Sequence, residues 1–356
     1  MDYYAGVDLG ATNIRAAVAG ADAKVIGSAT CATPRGPTGI AVTEAVLSAV
    51  RDSCDDAGIE PQSIQVAGIG SIGPLDLAEG VIEGPANLPD TIDRIPLTGP
   101  LKSLIGGSEV VLHNDADAGL VGERFYGEYS PDDMIYVTIS SGIGAGVAVD
   151  GSLLSGWDGN AGEIGHMIVD PSGTMTCGCG RDGHWEAYCS GNNIPKYAQQ
   201  LHKQDPVETD LPLPADSSRD SDAQSPDAFS SSSSATDADA DSNPPFDAPV
   251  VFEHAGSDDF ADYVIERIAQ WNAVGMANLA HAYAPIVINV GGAVALNNPE
   301  LIIDPINELL PELVLTNVPD VQLTTLSGDV VVHGALASAL LADGHSRPDN
   351  PSKFRK

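Results

Sequence analysis

The sequence predicts an α/β protein, because segments that read as strands alternate with segments that read as helices. Apolar runs bounded by glycines predict buried strands, and apolar residues recurring every three to four positions predict helices. Two strand–turn–strand units with glycine and hydroxyl residues in the turn occupy residues 3–19 and 134–151. They indicate an internal duplication of one phosphate-gripping turn, although two unrelated hairpins would give the same pattern.

The first half of the chain opens with three predicted strands and a helix. Glycine, alanine, threonine and asparagine separate the first two apolar runs, which is a composition typical of a turn. Apolar residues then recur at helical spacing from Ile40 to Cys54. The predicted elements of this half are strands at 3–9, 14–19, 25–29, 64–70 and 110–113 and helices at 40–54 and 115–126.

The second half repeats the strand–turn–strand theme and then changes in composition. Residues 205–247 consist mainly of serine, aspartate, alanine and proline, which cannot bury enough apolar surface to offset the entropy of ordering. A disordered acidic surface insertion is therefore predicted there. The other predicted elements are strands at 134–139, 145–151 and 286–292 and helices at 260–271, 299–313 and 330–342.

The chain is strongly acidic, with 50 acidic and 16 basic residues and a net charge of -34. Without residues 205–247 it would keep 39 acidic and 15 basic residues, so the acidity extends over the folded parts. Such a surface repels nucleic acid and anionic membranes, which excludes both as expected partners. It predicts a protein adapted to a salty cytoplasm, the alternative being an ordinary acidic protein with an acidic loop.

The location expected for the chain is cytoplasmic. Its first residues lack the basic and apolar regions of a signal peptide, and no run of 18 apolar residues occurs. Five cysteines in a long chain do not suggest a disulfide framework.

The turn after the first strand, DLGATNIR (8–15), places an acid beside glycine, hydroxyl and amide groups. Glycine lets a phosphate approach the main chain, and Thr12 and Asn13 would complete its cradle after Gly10. Asp8 would hold Mg²⁺, or a water bound to it, between phosphates. A DxGxT motif alone is a weak signal.

The segment HNDAD (113–117) follows a strand and opens a helix. Asn114 would bind a hydroxyl group, and Asp115 would take its proton in a phosphoryl transfer. The alternative from the residues alone is that Asp115 is simply a helix N-cap.

Four good zinc ligands lie within nineteen residues, namely His166, Cys177, Cys179 and His184. Two thiolates and two imidazoles suit a tetrahedral structural zinc site. The turns between them leave little core in which cysteines and histidines would otherwise be buried.

These motifs resemble the ROK family of sugar kinases and related repressors. DLGATNIR and SSGIGAG (140–146) look like the family's two phosphate loops, and INVGGAV (288–294) looks like its late adenosine loop. The remaining matches, taken in chain order, are GIGSIGPLDLAEGVIEGPANLP (68–89), HNDAD (113–117), GEIGHM (162–167) and CGCGRDGHWEAYCSG (177–191).

The resemblance implies a two-domain actin-like ATPase (ribonuclease H-like) fold with a cleft between the domains. Residues 1–113 with 330–344 would form the small domain and residues 114–329 the large, zinc-binding domain, followed by a flexible tail at 345–356. It also implies a role for each matched residue. Asp115 would be the catalytic base, and the sugar would contact Asn87, Asn114, Asp115, Glu163, His166 and Glu186. ATP would contact Asp8, Gly10, Thr12, Asn13, Ser141, Gly142, Gly144, Gly291 and Gly292.

Three positions depart from the family pattern. His184 stands where the family has its third zinc cysteine, Ser141 replaces a threonine, and Asp117 replaces the second asparagine of the ENDAN motif. In the family, the histidine that corresponds to His166 contacts both sugar and zinc.

The expected activity is transfer of the ATP γ-phosphate to a hexose, with glucose 6-phosphate as the product. ATP, Mg²⁺ and a structural Zn²⁺ are the expected cofactors, and a homodimer or homotetramer is the expected assembly. Fructose or N-acetylmannosamine is the alternative sugar. A sugar-sensing repressor is the alternative class, but it would carry an N-terminal helix-turn-helix, and the charge of this chain disfavours DNA.

Overall fold

The computed structural model describes residues 2–85, 88–89, 91–157, 159–214 and 246–347. Two five-stranded sheets and one three-stranded sheet carry the fold. The strands are β1 (Tyr3–Leu9), β2 (Asn13–Gly20), β3 (Val25–Ala32), β4 (Ile64–Ser71), β5 (Leu75–Asp76), β6 (Val81–Glu83), β7 (Arg94–Pro96), β8 (Glu109–Asn114), β9 (Met134–Ile139), β10 (Ile143–Val149), β11 (Ser152–Leu153), β12 (Val287–Gly291) and β13 (Asp320–Leu323).

The helices cover the faces of the sheets, and within the described part of the chain none is long and apolar enough to cross a lipid bilayer. They are α1 (Gly39–Ala57), α2 (Thr98–Leu104), α3 (Asp115–Tyr126), α4 (Glu186–Cys189), α5 (Ile194–Gln204), α6 (Ala248–Glu253), α7 (Asp259–Tyr283), α8 (Ala293–Asn297), α9 (Pro299–Leu313) and α10 (Val330–Ala342).

The two large sheets share one topology. Their strand orders are β3-β2-β1-β4-β8 and β11-β10-β9-β12-β13. In each sheet the first three strands pair antiparallel and the last two continue parallel to the central strand. The two strand–turn–strand units, β1–β2 and β9–β10, therefore hold the same place in their sheets, as an internal duplication requires.

Helix α3 lies against both large sheets. A Cβ atom on Gly70 of β4 would be 2.7 Å from the Ala118 Cβ, and one on Gly146 of β10 would be 2.7 Å from the Leu120 Cβ. Helix α10 packs beside α3 just as closely, because a Cβ on Gly334 would lie 1.7 Å from the Ala118 carbonyl oxygen. Small residues at these crossings bring the first turn of α3 to the junction of the two sheets.

The long predicted strands and helices are confirmed, with ends that differ by a few residues, except that the helix predicted at 260–271 extends to Tyr283. The glycine- and proline-rich stretch after β4 contains the small sheet β5–β7. This sheet was not predicted, because its strands are too short to show a hydrophobic pattern. Helices α2, α4, α5, α6 and α8 and strand β13 were also not predicted from the sequence.

Most of the predicted acidic insertion lies outside the described residues. Its first ten residues are described, and they pack on the protein: Leu211 is buried, and the Thr209 hydroxyl donates to the Asp258 carboxylate at 2.9 Å. At its other end Phe246 packs against the core and Asp247 caps α6. The predicted disorder is therefore wrong for residues 205–214 and 246–247. At the predicted tail, His345 Nε2 lies 2.7 Å from the Tyr4 hydroxyl, so the first tail residue is also packed. The division into a small and a large domain stays a prediction.

Candidate active site

The turn between β1 and β2 carries the residues predicted to grip a phosphate, and its backbone is fixed by hydrogen bonds. The Gly10 N–H donates to the Asn13 carbonyl at 3.0 Å. Thr33, just beyond β3, donates its N–H to the Thr12 carbonyl at 2.9 Å and its hydroxyl to the Gly10 carbonyl at 2.7 Å. These hydrogen bonds fix the backbone conformation of the turn.

Asp8 lies at the end of β1 and is buried, with 6% of its surface exposed. Its cross-strand partner Arg15 donates from Nη1 to Oδ2 at 2.9 Å, and Nε of Arg15 lies 4.0 Å from Asp329 Oδ1. Burial raises the pKa of Asp8 to about 6, although the Arg15 charge opposes this shift. Asp8 is therefore ionised at neutral pH and held beside a cation.

Asn114 and Asp115 stand where β8 runs directly into α3. Asn114 is the N-cap, since its side chain accepts the Ala116 N–H at 2.9 Å. Asp115 is the first helical residue and accepts the same N–H at 2.8 Å. The alternative that Asp115 serves as the N-cap is therefore wrong, because Asn114 holds that position.

The carboxyl group of Asp115 is in an environment that disfavours its ionised form. Burial raises its pKa to about 7, and the nearby charges of Asp8 and Glu163 contribute to the rise. Asp117, one residue beyond Ala116, is also buried, and burial with the charges of Asp115 and Glu163 raises its pKa to about 7. The charges of Asp8 and Glu163 thus act on the two carboxyl groups in the first turn of α3.

Glu163 and His166 project from a tight turn that rests on β10. Gly162 adopts φ +90, and a Cβ there would lie 2.1 Å from the Ala145 carbonyl oxygen, so only glycine fits. Its own carbonyl accepts the Ala145 N–H at 3.1 Å. His166 Nε2 lies 3.8 Å from Glu163 Oε2, and both side chains are partly exposed. These two predicted sugar ligands are therefore adjacent and accessible.

The four predicted metal ligands come together. The ligand atoms of His166, Cys177, Cys179 and His184 all lie within 4.8 Å of one another. Cys177 Sγ is 3.7 Å from His166 Nδ1, and Cys179 Sγ is 3.3 Å from His184 Nδ1. Tetrahedral zinc with thiolate and imidazole ligands requires separations of roughly 3.3–3.8 Å. The donor set and these two separations are therefore compatible with a zinc ion.

Asp170 holds the loop that carries the cysteines. It accepts hydrogen bonds from the Ser172 N–H and hydroxyl, the Thr174 N–H at 3.1 Å and the Tyr188 hydroxyl at 2.6 Å. Despite burial, these donors hold the pKa of Asp170 well below its usual range. Hydrogen bonds to Asp170 thus stabilise the loop that carries the cysteines of the Cys/His cluster.

Glu186 begins α4, directly after the buried Trp185. Its Oε2 accepts the Ile143 N–H at 3.0 Å, and its Oε1 lies 3.7 Å from Cys177 Sγ. The indole N–H of Trp185 donates to the Asn272 side chain of α7 at 2.9 Å. Glu186 is therefore anchored between the second phosphate loop and the Cys/His cluster.

The second phosphate loop links β9 and β10 and is closed by the Ser140 N–H, which donates to the Gly142 carbonyl at 2.9 Å. The segment after α4 runs along it, with the Gly191 N–H donating to the Ser140 carbonyl at 2.7 Å. The predicted late glycines lie beside this loop. Gly292 adopts φ +88, and a Cβ there would lie 2.4 Å from the Ile139 carbonyl oxygen.

The chain matches the ROK family model over residues 4–342. The chain belongs to the ROK family. The match covers both large sheets and every part of the site described above, and the two-sheet architecture is the fold of the family's solved sugar kinases.

Named ROK relatives are similar to the chain along its length. The glucokinase of Pyrobaculum calidifontis is 29% identical, with 99% of each chain aligned. The glucokinase of Aeropyrum pernix is 37% identical over 69% of each chain. A ROK glucokinase from Streptomyces griseus, solved in complex with glucose and AMPPNP, is 26% identical with a TM-score of 0.70, covering 95% of this chain and 99% of that one.

The structure brings most sequence-predicted site residues of this ROK chain together, in two groups. Asn114 and Asp115 form the start of α3, with Asp8 and Glu163 close enough for their charges to act on Asp115, and His166 lies 3.8 Å from Glu163. The second phosphate loop lies next to Glu186. Asn87, the remaining predicted sugar ligand, lies outside the described residues.

Two residues with polar contacts inside the fold were not found from the sequence, one beside Asp8 and one that joins α3 to the second large sheet. Arg15 is paired with Asp8 by the antiparallel register, which the alternation within β1 and β2 could have indicated. Glu123 of α3 is fully buried and accepts hydrogen bonds from Asn289 of β12 at 2.9 Å, from the Thr324 hydroxyl and from the Thr325 N–H at 3.2 Å. These partners are distant in sequence, so no local pattern marks Glu123.

Proposed function

We propose that this chain is an ATP-dependent hexose kinase that phosphorylates glucose on its 6-hydroxyl group. The observation that carries the proposal is Asp115, a partly buried carboxyl group at the junction of the two sheets whose pKa is raised to about 7. The glucokinases among its relatives support glucose as the sugar, and the solved complex of a relative with glucose and AMPPNP supports ATP as the phosphoryl donor.

In the proposed reaction, Asp115 accepts the proton of the sugar hydroxyl as its oxygen attacks the γ-phosphorus of ATP. The bond between that phosphorus and the oxygen bridging it to ADP breaks, and ADP leaves with the electron pair. A base whose pKa is near the working pH is deprotonated in a large fraction of molecules and still binds a proton strongly enough to remove it from the hydroxyl group. Positioning and electrostatic stabilisation supply the rest of the rate enhancement.

The sugar would lie between Asn114, Glu163, His166 and Glu186. Glu163 and His166 are accessible side chains on a rigid turn, which suits recognition of several hydroxyl groups. Asn87 is carried into this set by the family resemblance alone. Fructose and N-acetylmannosamine are the alternative sugars, because few contacts separate one hexose from another.

ATP would be held by the two phosphate loops and the late glycines. Gly10, Thr12 and Asn13 would contact phosphates from the first sheet, and Ser141, Gly142 and Gly144 from the second. Gly291 and Gly292 would lie at the adenosine. Bound Mg²⁺ would neutralise phosphate charge, and Asp8, ionised and paired with Arg15, would hold it directly or through water.

A structural zinc ion would be held by His166, Cys177, Cys179 and His184. The spacing of their ligand atoms supports this assignment, and burial lowers the pKa of His184, which favours the neutral imidazole that binds metals. When bound, zinc would fix the loop that precedes Glu186 to the turn that carries Glu163. Because ATP is an intracellular substrate, we place the enzyme in the cytoplasm. As an assembly we propose a homodimer or homotetramer.

The deciding experiment is a sugar panel with ATP and Mg²⁺ in molar KCl, with ADP production as the readout. We expect glucose to give the highest kcat/KM, ahead of fructose and N-acetylmannosamine. Preference for another sugar would change the substrate and leave the kinase proposal intact. Absence of phosphorylation with every sugar would overturn the proposal, and specific DNA binding would then favour the repressor class.

A further inference from the structure

Glu186 lies where the expected sugar pocket meets the second phosphate loop. Its Oε2 accepts the Ile143 N–H at 3.0 Å, and Ile143 directly follows Ser141 and Gly142, both expected to contact ATP. Its other oxygen, Oε1, is 3.7 Å from Cys177 Sγ. The same carboxylate that is expected to bind sugar therefore also binds the backbone of the nucleotide site.

The absence of a side chain at Gly142 leaves space for the Glu186 carboxylate. A Cβ on Gly142 would lie 2.7 Å from Glu186 Oε2, closer than real Cβ contacts allow. Any side chain at position 142 would therefore displace the carboxylate. The glycine serves here to make room for Glu186, in addition to any contact that its backbone makes with phosphate.

The segment that carries Glu186 is joined to the same loop at two more points. The Gly191 N–H donates to the Ser140 carbonyl at 2.7 Å, and the Asn192 N–H donates to the Ser141 carbonyl at 3.4 Å. The Asn193 side chain donates to the Glu186 carbonyl at 3.1 Å, which closes the segment on itself. The loop and the segment from Glu186 to Asn193 thus form one hydrogen-bonded unit.

We propose that Glu186 positions the second phosphate loop for nucleotide and thereby couples sugar binding to nucleotide binding. The proposal rests on the kinase function proposed above. A sugar that binds Glu186 fixes the acceptor of the Ile143 N–H, and with it the loop before β10. Coupling between two bound ligands is reciprocal, so nucleotide on the ordered loop favours sugar to the same extent.

The test is the affinity of a non-hydrolysable ATP analogue with Mg²⁺, measured calorimetrically on the full chain without sugar. Glu186→Ala removes the acceptor and should weaken analogue binding about tenfold, the scale of one hydrogen bond to a charged acceptor. Glu186→Gln keeps an acceptor oxygen and should bind the analogue within about twofold of wild type. Glu163→Gln is the matched control: in the described part of the chain this side chain pairs with His166 and makes no hydrogen bond to the loop, so only sugar binding should weaken.

Coupling is measured by repeating the titration with saturating glucose. In the wild type we expect glucose to tighten analogue binding, and in Glu186→Ala this tightening should disappear. Gly142→Ala leaves Glu186 in the chain but displaces its carboxylate, so it should weaken glucose and analogue binding together. If Glu186→Ala does not fold, the test is the loss of coupling between glucose and analogue in Gly142→Ala, because the analogue affinity of this variant alone would also reflect the phosphate contact expected of Gly142.

Wild-type affinity for the analogue in both Glu186→Ala and Gly142→Ala would overturn the proposal. Tighter analogue binding in Glu186→Ala would overturn it as well, since charge repulsion between Glu186 and phosphate would then dominate. Failure of the kinase proposal looks different, because the wild-type protein itself would then bind no ATP analogue.

Discussion

Asp115 combines two properties that a general base requires, namely a fixed position and a raised pKa. It is the first residue of α3, and the cap that Asn114 provides holds the helix start in place. We predict that Asp115→Asn retains sugar binding while kcat falls by about 10²–10⁴-fold, the usual range for a lost general base. Steady-state kinetics with calorimetric glucose binding measures both quantities. Turnover near that of the wild type would remove Asp115 from the role of base.

The pH dependence of the wild type follows from the same group. Because the base acts in its deprotonated form and its pKa is about 7, kcat/KM should fall as the pH drops below about 7. The folded protein binds the Asp115 proton more tightly than the unfolded chain does, so the stability contributed by this group is lost as the pH rises from 4 through 7. Asp115→Asn should therefore raise Tm most at pH 8, by less at pH 5, and little below about pH 4, where the carboxyl group is protonated in both states.

The pKa of Asp170 is shifted in the opposite direction to that of Asp115, so an Asp170 variant is a control for the Tm measurement. Its hydrogen bonds lower its pKa, so its stabilising contribution is present at neutral pH and is lost as the pH falls through the acidic range. Asp170→Asn should thus lower Tm at pH 8. If the two variants shifted Tm in the same direction at pH 8, the electrostatic assignments of this site would be wrong.

How far single residues could be predicted depended on the range of their interactions. Asp8, Asp115 and the Cys/His ligands belong to short motifs whose chemistry is local, and they could be read from the sequence. Arg15, Glu123 and the contact between Glu186 and Ile143 depend on strand register or on helix packing. The contacts of Glu123 and Glu186 join residues at least 43 positions apart, so no motif records them, whereas the pair of Arg15 and Asp8 spans seven positions and follows from the register of β1 and β2.

At the scale of elements, hydrophobic patterning was sufficient for the long strands and helices and insufficient for the short ones. Strands β1, β4 and β9 are continuous apolar runs buried in their sheets, so their pattern is strong. Strands β5 to β7 have two or three residues each and lie among glycines and prolines. Pairing with one another, and not local preference, defines them.

The Cys/His loop is the element whose chemistry is most directly testable. We predict about one zinc ion per chain in protein purified without chelators, by analogy with tetrahedral sites of this donor set. Cys177→Ser should lose the metal and raise the sugar KM, because the loop precedes Glu186. Metal analysis and kinetics measure these effects, and Cys31→Ser, a cysteine outside the cluster, is the control. Zinc-free protein of full activity would contradict both the site and its link to the sugar.

At the scale of the whole molecule, we expect that most of the acidic insertion can be deleted without loss of kinase activity. Residues 205–214 pack against Asp258 through Thr209 and through the Asp210 N–H, so the deletion should leave them in place. We predict that replacing residues 215–245 by a short Gly-Ser linker leaves kcat within about twofold, since loop length has a small entropic cost. A deletion that starts at 205 should lower Tm. Loss of folding in the shorter deletion would show that the segment contributes to the core.

The whole chain must accommodate a net charge of -34 when it folds. Like charges spread over the surface repel one another in the compact state, and unfolding moves them apart. Salt screens this repulsion, with a Debye length that falls from about 10 Å at 0.1 M to about 3 Å at 1 M. The free energy of unfolding should therefore rise markedly between dilute buffer and molar KCl, and activity should follow it. Thermal unfolding across a KCl series measures this, with sorbitol of equal osmolality as the control for effects that do not involve charge. Equal Tm values in dilute buffer and in molar KCl would contradict adaptation to high salt, since the repulsion would then be too weak to matter for folding.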